Sequence, residues 1–116
     1  MSYKYINTEY LETVAGGDTD LMKELIDMFR DQVEEIHSEM ESLLAMNNYA
    51  SLGLLAHKAK SSVAIMGMED LAVMLKTFEL EAKEGLNHEK YRSYIDRYSN
   101  EATAAVAELD EMLSRL

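Results

Sequence analysis

The chain has 116 residues, of which 47% are hydrophobic and 28% are charged. This size and balance fit one globular domain over residues 1–116 and exclude a disordered chain. The 11 basic and 22 acidic residues give a formal net charge of −11, which disfavours binding to nucleic acid or anionic lipid because both are polyanions. The absence of cysteine excludes disulfides, thiolate metal sites and cysteine nucleophiles.

Targeting and membrane signals are also missing from the sequence. The first residues, Met1 to Ile6, contain no apolar segment long enough for a signal peptide. No stretch reaches the roughly 18 consecutive apolar residues of a membrane span. We therefore expect a soluble, cytoplasmic protein. The chain contains no proline, so nothing interrupts long helices.

Helix signals begin with Asn7 or Thr8, either of which can cap a short first helix that Gly16-Gly17 ends. Asp18 is then placed to cap a long second helix. Apolar residues follow at spacings of three and four for more than six turns. They are Leu21, Leu25, Met28, Phe29, Val33, Ile36, Met40, Leu43 and Leu44.

Three more breaks divide the rest of the chain. Asn47-Asn48 interrupts the second helix and can cap a third that begins near Tyr49. Gly67 ends the third helix, and Gly85 ends a fourth. Asn87 is predicted to start a final helix. The inner face of the fourth helix is predicted from Leu71, Met74, Leu75, Phe78 and Ala82, and that of the last helix from Tyr91, Tyr94, Ile95, Tyr98, Ala102, Ala105, Val106, Leu109 and Leu113.

Short connections between long amphipathic helices favour antiparallel neighbours. The sequence therefore predicts an all-α protein, an antiparallel up-down-up-down four-helix bundle with a short extra N-terminal helix. Phe29, Phe78 and most of the methionines are expected in its core. We find no internal repeat, linker or alternating strand pattern.

His57 stands out on the third helix because the helical pattern exposes it. His57 lies well away from the predicted buried stripe of this helix, which comprises Leu52, Ala56, Ala59, Val63 and Met66. A neutral imidazole nitrogen is a nucleophile at physiological pH, and a phosphoryl group placed on it needs a nearby cation and open access. Lys60, one turn further along, supplies the cation.

The segment Ala56-His57-x-x-Lys60-x-Ser62, with Gly67 ten residues after the histidine, resembles the signature of histidine-containing phosphotransfer (HPt) domains. The likeness extends upstream to Gly16-Gly17-Asp18 and downstream to Phe78-Glu79. It implies that His57 is the phosphoacceptor and that Lys60 stabilises the phosphoryl group. Glu79 and Lys83 match positions where members of the family often carry polar residues near the histidine.

The resemblance also implies which partners the chain has and which chemistry it does not carry out itself. The chain would be a phosphoprotein of two-component signal transduction, a phosphorelay carrier that exchanges phosphate with receiver domains of a hybrid histidine kinase or response regulator. It would be a stoichiometric intermediate and not an enzyme, because no ATP-binding motif is present. No cofactor is expected on this chain, since the receiver supplies Mg²⁺. The lack of a second apolar stripe favours a monomer.

Two positions depart from the signature, and one of them bears on docking. Ser61 replaces the usual glycine, so it either narrows access or offers a hydroxyl to the phosphoryl oxygens. Ala59 replaces the usual leucine and only reduces core volume. We expect the partner to dock on a patch of small residues with apolar flanks. The predicted patch comprises Gly53, Leu54, Ser61, Ala64 and Ile65 around His57.

The sequence also allows two alternatives, a metal site and a function without phosphate transfer. A carboxylate-rich bundle could hold a di-metal centre, but only Glu34-x-x-His37 has the required Glu-x-x-His spacing, since neither His57 nor His88 follows a glutamate in this way. His37 is thus expected at a partly exposed bundle position and His88 at a surface position. The alternative function is a helical interaction module that binds a receiver or another signalling protein without carrying phosphate.

Overall fold

A computed structural model describes residues 3–115, which form helices and short connections without any strand. The helices are α1 (Thr8–Ala15), α2 (Thr19–Ala45), α3 (Tyr49–Ile65), α4 (Glu69–Glu84) and α5 (Tyr91–Ser114). A 3₁₀ turn, His88–Lys90, precedes α5. None of the described helices is long and apolar enough to cross a membrane.

Local capping chemistry sets most of the helix ends. The side chains of Asn7, Asp18 and Asn48 each accept a hydrogen bond from the backbone N–H three residues later, at the starts of α1, α2 and α3. Gly16 and Gly85 follow α1 and α4 with positive φ angles of 62° and 66°. These are the caps and stops that the sequence predicts, because the side-chain acceptors satisfy free N–H groups and glycine tolerates the left-handed conformation.

The start of α5 differs from the prediction. Asn87 adopts a left-handed conformation with φ 57° and makes no capping hydrogen bond. Its side-chain amide donates instead to the carboxylate of Glu81 in α4. The 3₁₀ turn then intervenes, and α5 begins at Tyr91. Asparagine suits both a helix cap and a left-handed turn, so its presence alone does not distinguish them.

The four long helices form a closed ring in which α2 packs against α3 and α5, and α4 packs against the same two helices. Ion pairs from Arg30 to Asp110 and from Arg92 to Glu41 connect α2 with α5. Because the earlier residue of α2 pairs with the later residue of α5, the two helices run in opposite directions. Helix α1 packs across α2 and α3. The all-α bundle with a short N-terminal helix is therefore confirmed.

The apolar core runs along the bundle axis, and both Phe29 and Phe78 lie in it as predicted. The predicted buried stripe of α2 is wrong over its first turns: Leu21 is 39% exposed, Met28 is 57% exposed, and Leu25 is only partly buried. Two adjacent faces of this segment are apolar, so helical spacing alone did not show which one faces inward. The buried face comprises Met22, Ile26, Phe29, Val33, Ile36 and Met40.

The segment before α1 is tied to the rest of the bundle. The carboxylate of Glu108 in α5 accepts hydrogen bonds from the backbone N–H groups of residues 4, 5 and 6, at 2.9 to 3.1 Å. The N–H of Asn7 then donates to the carbonyl of Met66 at the end of α3, at 3.2 Å. These bonds bring Asn7 against the turn that joins α3 to α4.

We predict that Gly67→Ala destabilises the bundle more than Gly17→Ala. Both glycines have nearly the same φ, 76° and 78°. A Cβ at Gly67 would lie only 2.5 Å from Cβ of Asn7, whereas a Cβ at Gly17 would meet nothing within 4 Å. Both substitutions incur backbone strain of about 1 kcal/mol, and Gly67→Ala adds the steric clash. Urea unfolding of the two variants measures the difference, and equal free energies of unfolding would contradict the prediction.

Candidate functional site

His57 lies on the outer face of α3, where the helical pattern places it. Its side chain is 55% exposed. By contrast, Leu52, Ala56, Ala59 and Val63 are fully buried. The rigid inner face of α3 thus fixes the position of a solvent-accessible imidazole ring.

The ring is held by a carboxylate from the next helix. Nδ1 of His57 lies 3.1 Å from both Oε1 and Oε2 of Glu79 in α4. The Glu79 side chain is only 3% exposed. A carboxylate can only accept hydrogen bonds, so Nδ1 carries the proton and donates it. Nε2 of the neutral ring is therefore left with a free lone pair, which is the form that acts as a nucleophile.

Two lysines on α4 flank Glu79. Nζ of Lys83 lies 3.0 Å from Oε2, and Nζ of Lys76 lies 3.8 Å from Oε1. Burial raises the pKa of the Glu79 carboxyl, but hydrogen bonds from Lys83 and His57 and the charge of Lys76 outweigh it, so the pKa is lowered overall. Glu79 is consequently a carboxylate at neutral pH and remains an acceptor for Nδ1–H.

The predicted place of Gly53 in an open docking patch is wrong. Gly53 is buried against α4, where an added Cβ would lie 3.2 Å from the carbonyl oxygen of Glu79 and 3.3 Å from the backbone nitrogen of Lys83. Helical spacing puts Gly53 on the same side of α3 as His57, but it does not show how closely α4 covers that side. The glycine allows the close approach that brings Glu79 to the imidazole.

The rest of the predicted patch is solvent-facing. Leu54, Ser61, Ala64 and Ile65 are all exposed. The Ser61 hydroxyl donates to the carbonyl oxygen of His57 at 3.3 Å, so it lies back along the helix. This conformation limits how far Ser61 projects into the space that a partner would enter.

Ser62 faces the opposite way, into the bundle. Its hydroxyl donates to Oε1 of Gln32 in α2 at 2.7 Å, and Ser62 itself is buried. The bond ties α3 to α2 one turn beyond His57. Sequence reasoning did not single out Gln32, although a polar residue at the edge of the apolar stripe of α2 was a usable signal.

Lys60 is partly buried and forms no ion pair with any residue of the described range 3–115. Its ammonium group is thus available to a ligand. Sequence reasoning identified Lys60 from its spacing to His57, but it gave no role to Lys76, which reaches the site from α4.

The other two histidines lie elsewhere. His37 is partly exposed on α2, and His88 stacks on Tyr49 with ring centroids 4.1 Å apart. Across residues 3–115, no group of three or more histidine and acidic side chains is arranged to hold a metal ion. His57, with its buried carboxylate and neighbouring lysines, is the arrangement that offers a positioned nucleophile.

In a comparison with known families, the family model for the Hpt domain matches residues 24–116. The chain belongs to the Hpt domain family. Hpt domains are helical phosphotransfer modules that act with receiver domains in two-component signalling, and they are phosphocarriers and not kinases. The match begins inside α2, so Gly16-Gly17-Asp18 lies outside it. Searches of curated proteins and of solved structures gave no match.

We predict that Glu79 makes a pH-dependent contribution to the stability of this Hpt domain. Folding lowers the pKa of Glu79 below its ordinary value of 4.5, so the contribution is present above that pH and is lost as the pH falls. Glu79→Gln should therefore reduce the free energy of unfolding more at about pH 6 than at about pH 3. Urea unfolding at both pH values measures this, with Glu84→Gln, an exposed glutamate of α4, as the control. A pH-independent loss would contradict the prediction.

Proposed function

We propose that this Hpt domain is a phosphorelay carrier that accepts a phosphoryl group on His57 from the aspartyl phosphate of one receiver domain and passes it to the aspartate of another. The observation that supports this most directly is the exposed imidazole whose Nδ1 is hydrogen-bonded to the buried Glu79 carboxylate. That bond selects the tautomer with a nucleophilic Nε2. The proposal extends the phosphotransfer role of the family to a specific atom of this chain.

The forward step needs no proton transfer. The Nε2 lone pair of His57 attacks phosphorus, an N–P bond forms, and the P–O bond to the receiver aspartate breaks with its electron pair, which leaves a carboxylate on the receiver. The ring becomes a phosphoimidazolium with its proton still on Nδ1. Because Glu79 lies 3.1 Å from Nδ1, its negative charge stabilises the positive charge that develops on the ring.

The return step reverses these bond changes on a second receiver. An aspartate oxygen attacks phosphorus, the N–P bond breaks, and its electron pair returns to Nε2. Nδ1 keeps its proton throughout, so Glu79 needs no change of protonation state in either direction. Neither direction therefore depends on a proton donor or acceptor, which suits a carrier that must run the exchange both ways.

Lys60 is proposed to stabilise the phosphoryl group, since its ammonium is free of ion pairs within residues 3–115. The receiver is proposed to supply Mg²⁺ and most of the transition-state electrostatics. Within the described residues, this chain offers no cluster that would hold a metal ion itself. Its contribution is a positioned nitrogen and a cation.

The proposed docking patch consists of Leu54, Ser61, Ala64 and Ile65 around His57. Leu54 and Ile65 provide apolar contact, while Ser61 and Ala64 leave room near the imidazole. A patch of this size fits a transient complex. The proposal treats the chain as a monomer that meets its receivers in the cytoplasm.

We predict that His57→Gln abolishes phosphoryl transfer and leaves the domain folded with only a modest loss of stability, since the exposed ring makes few packing contacts and Lys83 still bonds to the Glu79 carboxylate. The measurement is incubation with a radiolabelled phosphorylated receiver and Mg²⁺, followed by a test for acid-labile, base-stable label on this chain. His37→Gln is the matched control and should be labelled normally.

Two results would contradict the proposal in different ways. Label that survives His57→Gln would move the phosphoacceptor to another residue. Failure of the wild-type chain to take label from any of several receivers, while it still binds one of them, would favour the alternative of an interaction module that carries no phosphate.

We predict that Lys60→Ala slows phosphoryl uptake by about tenfold, because a charge-assisted hydrogen bond to the phosphoryl oxygens is lost. Single-turnover transfer from a phosphorylated receiver measures the rate. Lys58→Ala, which removes an exposed lysine from the same helix, is the control and should transfer at the wild-type rate. Equal rates for the Lys60→Ala variant and the wild type would remove Lys60 from the mechanism.

A further inference from the structure

Two lysines, Lys60 of α3 and Lys76 of α4, lie about one turn from His57 and Glu79 along the seam between these helices. Contacts across the seam show that the helices are antiparallel, because Gly53 of α3 lies against Glu79 and Lys83 of α4, whereas His57 lies against Glu79. Continued by one turn, the same alignment brings Lys60 and Lys76 to corresponding positions on the two helices.

Lys76 is only loosely engaged in the resting protein. Its Nζ lies 3.8 Å from Oε1 of Glu79, beyond hydrogen-bond distance, and its side chain is 50% exposed. Glu79 already has closer partners, because Lys83 lies 3.0 Å from Oε2 and His57 Nδ1 lies 3.1 Å from each oxygen. Loss of Lys76 would leave both carboxylate oxygens hydrogen-bonded. Of the two lysines that flank Glu79, Lys76 is therefore the one whose ammonium group can move with the smaller loss of interaction energy.

The side chains around His57 carry more positive than negative charge in the unphosphorylated protein. Lys76 and Lys83 both approach the single carboxylate of Glu79, Lys60 lies one turn from His57 on α3, and α3 itself contains no acidic residue. This local excess of positive charge stands out in a chain with a net charge of −11. A phosphoryl group brings about −1.5 to −2 charges at neutral pH, which matches the excess.

We propose that Lys76 is a second cation for the phosphoryl group on His57, acting across the α3–α4 seam from Lys60. When the phosphoryl group arrives on Nε2, Lys76 leaves Oε1 of Glu79 and donates to a phosphoryl oxygen. Glu79 keeps its bonds to Lys83 and to Nδ1–H, so the tautomer is maintained. This inference rests on the proposed function, because it concerns the phosphorylated state of the same site.

A second cation stabilises the phosphorylated form of this chain relative to the phosphorylated receiver. The experiment measures the equilibrium distribution of label between the two proteins, at concentrations too low for their complex to accumulate. Lys76→Met should shift the equilibrium constant towards the receiver by about threefold to fivefold, which is the upper part of the range for an exposed ion pair. Lys76→Arg should stay within about twofold of the wild type, because it keeps the charge.

Controls separate direct contact from an indirect effect. Lys58→Met removes an exposed lysine that neighbours His57 on α3, and it should leave the equilibrium unchanged. The imidazole nitrogen chemical shifts of the unphosphorylated Lys76→Met variant should still report a proton on Nδ1, because Lys83 and the imidazole remain bonded to Glu79. Thermal melting verifies that each variant is folded.

Several outcomes would overturn the inference. An unchanged equilibrium for Lys76→Met, with His57-dependent label still present, would overturn it and leave the proposed function intact. Loss of the Nδ1–H tautomer in unphosphorylated Lys76→Met would show that Lys76 acts through Glu79, and this would overturn the inference. If the wild type takes up no His57-dependent label at all, both proposals fail together.

Discussion

The contact between His57 and Glu79 is the constraint on which the candidate site depends. A buried carboxylate on α4 fixes the proton on Nδ1 and so determines which imidazole nitrogen is reactive. Burying a carboxylate is unfavourable unless it is paired, and here Lys83 and the imidazole N–H supply the partners. The absence of a side chain at Gly53 lets the two helices approach closely enough for these bonds to form.

The remainder of the bundle keeps that contact in place. Helix α3 is held from the α2 side by the bond between Ser62 and Gln32 and from the α4 side by the bond between His57 and Glu79. A carrier needs no enclosed pocket, since its partner brings the other half of the reaction. It needs a nucleophile whose orientation changes little between encounters, and a helix fixed along both edges provides this.

Sequence patterns gave most of the helix boundaries because caps and glycines act within a few residues of the chain. These patterns failed where two different structures fit the same local sequence. Examples are the inward face of α2, where either Leu21 or Met22 could be buried, and Asn87, which suits either a helix cap or a left-handed turn. His57 and Lys60 could be proposed as site residues from the sequence for a similar reason, since their spacing lies within one helix. Their surroundings could not, because they depend on how α3 and α4 align.

Glu79 shows which features of the site can be predicted from the sequence and which cannot. It stands next to Phe78 on the inner face of α4, and an acidic residue at such a position indicates a buried partner of opposite charge or a hydrogen-bond donor. Neither the resemblance nor helical spacing showed that the donor was Nδ1 of His57. Only the register across the seam established this.

Under the proposed function, the same register lets one site accept and release a large negative charge without refolding. Glu79 remains bonded to Lys83 in every step, so the buried carboxylate is never left unpaired. The cations that respond to the phosphoryl group lie at the solvent edge of the seam, where moving a lysine disturbs no packing. In this proposal, the lysines that respond to the phosphoryl group are separate from the buried core. Arrival and departure of the group therefore require only small side-chain movements, and transfer is possible in both directions.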